Sequence, residues 1–178
     1  MRSDQMAYIN DAKAMAQTNF QYIGGRNRMP VYPSLMSFFY TEGMSDEDFF
    51  RRGKTIGMLI ALVVSSVVLL LFWQVSSLSD ASVATLVTMF TVFAYKAPYF
   101  QTEVLFYGIN LTLFYLLLSM LKKPGIPIAA LAGITAGVGH LTKASVLPAL
   151  LLAGLCLLLR GLMSFNCRYN VADLDALP

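Results

Sequence analysis

The sequence predicts an all-α fold, a polytopic membrane helical bundle preceded by a polar region with short helices. Three observations carry that expectation. Of 178 residues, 57% are apolar and only 13% charged, about half the charged share of ordinary soluble domains. Mean hydropathy is +0.61. The apolar residues fall into blocks of roughly 14 to 18, near the length of a bilayer-crossing helix. Lipid offers no partner to a bare backbone, so open strands are excluded as spanning elements and helices remain. This composition also excludes a disordered chain, a soluble globule and a nucleic-acid-binding domain. The 13 Lys and Arg residues sit at block edges and form no basic stripe, and the net charge of +3 points to no particular partner.

Residues 3–19 predict a helix, with Ser3 able to cap it and Asp4 at the positive end of its dipole. Asp4, Tyr8, Asp11 and Met15 recur at helical spacing. Residues 24–33, GGRNRMPVYP, cannot continue a helix, because two glycines and two prolines punctuate them. A second short helix is expected from Pro33 to Tyr40. Ser45 then opens a new helix with Asp46, Glu47 and Asp48 in its first turn, followed by Arg51, Arg52 and Lys54. The stretch Ile56 to Trp73 is almost continuously apolar, and Trp73 suits an interfacial anchor.

A polar gap from Gln74 to Asp80 leads to a shorter block, Ala81 to Tyr95. Lys96, Pro98 and Gln101 interrupt the pattern before Val104 to Met120. Lys122, Lys123 and Pro124 end that block. Ile126 to Leu141 is rich in small residues, and its Gly133 and Gly137 form a GxxxG pair of the kind that lets helices pack closely. Val146 to Leu159 is the last apolar block. The expected division is therefore a loop region over 1–50, about five membrane helices over 51–161, and a polar tail over 162–178. Residues 1–28 contain no apolar run of the signal-peptide kind. Asn110-Leu111-Thr112 matches a glycosylation sequon but lies inside a predicted membrane helix. Cys156 and Cys167 form no CxxC, and His140 is the single histidine, so no metal site is assigned.

Five spans place alternate joints on opposite sides. One side receives the start of the chain and the joints at 96–102 and 142–145. It carries Arg2, Lys13, Arg26, Arg28, Arg51, Arg52, Lys54, Lys96 and Lys143. The other carries Lys122, Lys123, Arg160 and Arg168. The positive-inside rule alone makes the first side cytoplasmic. The same side also gathers the joints with chemical character. Carboxylates beside membrane helices are costly unless used or paired, which singles out Asp4 and Glu103. Two such groups can divide proton acceptance from positioning, and each equally reads as a helix N-terminal charge. Arg26 and Arg28 could hold a phosphate bidentately or anchor to headgroups. Lys143 stands at a helix break, where it could snorkel or meet a phosphate. Tyr22, Tyr32, Tyr95 and Tyr99 cluster at the joints and suit either an interfacial belt or a sugar-stacking surface.

Three stretches taken in order resemble the GT-C glycosyltransferases, in particular the protein O-mannosyltransferase-like, lipid-phosphate-sugar-dependent group. Asp4-Gln-Met-Ala-Tyr8 followed by Gly25-Arg-Asn-Arg28-Met-Pro30-Val-Tyr32-Pro33 is similar to that group's first extracytoplasmic loop. Pro98-Tyr-Phe-Gln-Thr-Glu103 is similar to its later acidic element. Ala132 to Lys143 is similar to its G-x-x-x-G…L-T-K segment, with Ala144 where proline is common. The resemblance implies that residues 1–50 form an extracytoplasmic loop. It implies a polyprenyl-phosphate or diphosphate sugar donor and inverting transfer to an acceptor hydroxyl. Asp4 and Glu103 would be catalytic, and Arg26, Arg28 and Lys143 would face the donor phosphate. Tyr8, Tyr32 and Tyr99 would contact the acceptor or sugar. Gln5 stands where many relatives have a second acid, which weakens any metal role at Asp4. It also implies that 178 residues are a truncated fragment, inactive alone, from the plasma membrane if bacterial. The alternative from a different class is a non-enzymatic bundle, either a transporter segment or a membrane assembly subunit. Membrane lipids are partners under both readings, and nucleic acid under neither.

Overall fold

The structure, a computed structural model, describes residues 3–23, 29–148, 150–152 and 154–159. Among these, every regular element is helical. α1 (Ser3–Gln17) buries Gln5, Ile9, Ala12 and Met15, a stripe at helical spacing. The chain leaves α1 through Asn19 and Phe20, both left-handed at φ 51 and 63. Thr18 holds that exit: its hydroxyl donates to Ala14 O (2.7 Å) and accepts from the Tyr22 amide (3.1 Å). α2 (Val31–Ser37) begins straight after Pro30. The expected start at Pro33 is two residues late, because proline fits the first helical turn.

α3 (Asp46–Trp73) is capped by Ser45, whose hydroxyl accepts from the Asp48 amide at 3.1 Å. Its 28 residues make about 42 Å, longer than a hydrocarbon core of ~30 Å, so its first turns stand outside. α4 (Leu78–Thr88) is capped in the same way by Ser77. It widens into a π-helical turn at Met89–Phe93 and closes as α5 (Ala94–Lys96). α6 (Glu103–Lys122) and α7 (Ile126–Thr142) form a helical hairpin, with Pro127 in the first turn of α7. A 3₁₀ turn, Ala144–Val146, follows, and the described residues from 147 to 159 are helical.

Three packed clusters hold these elements. Ala61, Val64 and Val68 of α3 meet Phe93, Ala97 and Val104. Phe106, Leu113 and Leu116 of α6 meet Ala132, Ala136 and Val146. The third joins the loop helices to the bundle: Ile9, Ala12, Tyr32, Met36, Phe49, Ile56 and Phe100. Close approach of α3 to the 97–108 region depends on glycine. A Cβ on Gly53 would lie 2.2 Å from the Phe100 ring, one on Gly57 2.5 Å from Ala97 O, and one on Gly108 2.7 Å from Val64. Gly53-Lys-Thr-Ile-Gly57 is itself a GxxxG. The pair expected to pack closely, Gly133 and Gly137, faces open space within the chain. The small residues that make contact here are in α3 and α6, not at that pair.

The outward surface is inverted relative to a soluble protein. Leu59, Leu62, Val63, Leu86, Phe90, Phe114 and Ile134 are all exposed. Exposed Ser66 and Thr91 donate to carbonyls one turn back, at 3.1 and 2.7 Å, as buried Ser65, Thr85 and Thr142 do at 2.7 Å. A hydroxyl bonded within its own helix can face lipid without an unmet donor. The chain is a multi-pass integral membrane protein: Asp46–Trp73, Leu78–Lys96 and Glu103–Lys122 have the length and apolarity to cross a bilayer. Two of the five expected spans, Ile126–Thr142 and Ala144–Leu159, are shorter apolar helices. The expected tail, 162–178, lies outside the described residues.

Candidate functional site at the polar end of the bundle

The hairpin of α6 and α7 returns the C-terminus of α7 to the N-terminus of α6. Lys143 leaves the helix in an extended conformation, φ −161 and ψ 127, while its amide still donates to Gly139 O at 2.8 Å. Its Nζ then lies 4.0 Å from Glu103 Oε1 and 5.6 Å from the centre of the Phe106 ring. Both charges also suit their helix ends, the acid at an N-terminus and the base at a C-terminus. The two side chains are 22% and 41% exposed, so the pair is within reach of an anion or a hydroxyl from water.

Beneath this pair runs a chain of aromatic rings. Tyr8, Tyr32 and Phe100 meet edge-to-face at 5.5 and 5.6 Å, Phe100 meets Phe49 at 5.4 Å, and Phe49 meets Tyr40 at 5.4 Å. Such arrangements add to the stabilisation from burial alone. Tyr32 is fully buried, and burial pushes its phenol well above the ordinary tyrosine range. The Gln101 backbone opposes that rise, while Tyr8 and Glu103 add to it. The space bounded by Tyr32, Gly57, Lys96, Tyr99 and Gln101 holds about 10 Å³, room for about one water.

The structure thus brings Glu103, Lys143, Tyr32 and Tyr8 to one end. Tyr99 is exposed at its rim. Asp4 is exposed in the first turn of α1, one turn before Tyr8. Arg26 and Arg28 lie outside the described residues, as does the Ser3 side chain. His140 Nδ1 is buried with no hydrogen-bond partner among the described residues. Those residues contain no group of three His, Cys, Asp or Glu side chains placed to hold a metal.

Two clamps at this end escaped the sequence reading. Lys13 pairs with Asp46 and also donates to Met44 O at 3.3 Å, tying α1 to the start of α3. The Tyr22 hydroxyl donates to buried Asp11 at 3.0 Å, folding the exit of α1 back on the helix. Neither has a periodic signature, because each joins residues on different elements or beyond a helix end. No protein-family description, curated protein or solved structure matches this chain.

Proposed function

We propose that this chain is a non-enzymatic multi-pass membrane bundle, of the kind that serves as an assembly subunit or a transporter segment. The packing of the polar end is the observation that carries this reading. Tyr32 is enclosed by Tyr8 and Phe100 and has about 10 Å³ beside it, which leaves no face of that ring for a sugar to stack on. The side chains there act as a plug joining the loop helices to α3 and α6. The membrane helices keep most of their apolar surface outward; only 17% of the apolar window in Leu78–Lys96 is buried within the chain. That surface is available to lipid or to other membrane helices.

The glycosyltransferase reading keeps one specific support, the meeting of Glu103 with Lys143 across two helices. In that reading Lys143 would offset the donor phosphate and Asp4 would take the acceptor proton. One experiment separates the two readings. The protein in lipid nanodiscs is offered polyprenyl-phosphate-linked sugars together with hydroxyl acceptors. The bundle reading expects neither saturable donor binding nor transfer, with the protein extracted from its membrane at the size of a larger assembly. Sugar transfer that falls about 100-fold in Asp4→Asn, with donor binding retained, would overturn it.

A further inference from the structure

Outside the aromatic plug, a second polar feature lies where α3 enters the membrane. An open cleft of about 760 Å³ is lined by the 39–44 loop and the first turns of α3. Its walls carry two guanidiniums, Arg51 and Arg52, and two carboxylates, Glu42 and Asp48. Its floor is Thr55 and Ile56, where the apolar run of α3 begins.

The cleft is built, not loose. Arg52 donates to Phe39 O at 3.0 Å and to Thr41 Oγ1 at 3.2 Å, fixing the loop to the helix. Met44 N closes a turn onto Thr41 O at 3.0 Å, and Gly43 takes φ +81 within it, a conformation that suits glycine. The turn sets Glu42 on the rim. Asp48 is steadied by the Ser45 hydroxyl, which donates to it at 2.7 Å. Among the described residues the Arg51 guanidinium pairs with Glu47, 4.0 Å away, and both are about four-fifths exposed, so it is held weakly.

We propose that this cleft binds the zwitterionic headgroup of an amine-bearing glycerophospholipid, chemically a phosphatidylethanolamine. Arg51 and Arg52 take the phosphate, and Glu42 and Asp48 take the ammonium. Two positive and two negative groups match a headgroup with one charge of each sign, whereas an anionic headgroup meets two unanswered carboxylates. A choline headgroup has no N–H to give to them and is better served by a cage of aromatic rings, of which Phe39 supplies one. The acyl chain has a track. Leu59, Leu62 and Val63 lie one and two turns below Thr55, are exposed, and continue down the face on which the cleft opens. The site therefore takes a lipid and not the free headgroup.

The test is native mass spectrometry of the full chain, delipidated in detergent and then offered phosphatidylethanolamine, phosphatidylcholine or phosphatidylglycerol at matched concentrations. The expected result is at least about tenfold greater retention of phosphatidylethanolamine than of either other lipid. Arg51→Gln and Glu42→Gln should each cut that retention about tenfold. Both side chains are exposed, and thermal melts of the variants report whether the fold is kept. Equal retention of the three lipids, or retention indifferent to both substitutions in folded protein, overturns the proposal. Competition by water-soluble glycerophosphoethanolamine as effective as the lipid itself overturns it too, because the acyl track would then contribute nothing.

Discussion

A phenol taken out of water favours its neutral form, and Tyr32, fully buried, is such a group. The unfolded phenol titrates near its ordinary value of 10.0, whereas burial raises the folded one. A raised folded value means that the unfolded chain loses its proton first. The stability from Tyr32 is therefore fully present below pH 10 and falls as pH rises beyond it, by about 1.4 kcal/mol per unit. Melting of the detergent-solubilised protein between pH 8 and pH 11 should show this loss, and Tyr32→Phe should remove Tyr32's share of it. The Glu103–Lys143 pair makes the opposite kind of forecast. Part-exposed charges at 4.0 Å gain little, so Glu103→Gln should change stability by no more than about 1 kcal/mol in the same melt. Of the residues singled out in the sequence, Glu103 and Lys143 were legible because each stood at a helix break. The burial of Tyr32 was not, because it depends on Phe100 and Phe49, which share no pattern with it.

At the scale of elements, α3 is separated from the 97–108 region by the width of a glycine. Gly57→Ala pushes a methyl into the Ala97 carbonyl, a backbone atom that cannot turn aside, and should cost about 3 kcal/mol. Gly137→Ala meets nothing within 4 Å and should leave the isolated chain's melting unchanged. Thermal unfolding of the two variants side by side checks this. The helices themselves were readable from apolar blocks and caps, and Ser45 caps α3 as its position before three acids predicts. The closely packed GxxxG was harder to read. Gly53 and Gly57 straddle the change from polar to apolar sequence, with Lys54 and Thr55 between them, so they do not look like part of a membrane seam. The π-helical turn at Met89–Phe93 likewise has no mark in the residues; it follows from seating Phe93 and Ala97 against α3.

For the whole molecule, contacts of Phe100 with Tyr32 and of Lys143 with Glu103 put the joints near 99 and 145 at the end that holds α1 and α2. The two functional readings assign that end to opposite sides of the membrane. A non-enzymatic bundle obeys the charge bias and turns it to the cytoplasm, whereas lipid-linked sugar transfer turns it outward. Tyr99→Cys and Ser145→Cys, in a chain freed of Cys156 and Cys167, should react with an impermeant thiol reagent only after the membrane is broken. Labelling in intact cells would favour the enzyme. The plug also sets an order of events during synthesis. Tyr32 leaves the ribosome 68 positions ahead of the Phe100 ring that completes its enclosure. At ordinary elongation rates that is a wait of roughly 3 to 14 seconds. Throughout it the Tyr32 ring stands without the Phe100 ring that covers it in the folded chain. Nascent chains arrested before residue 100 should therefore be cut by protease within 31–37, and those arrested after α6 has inserted should resist there, so a segment made early is secured only by one made much later.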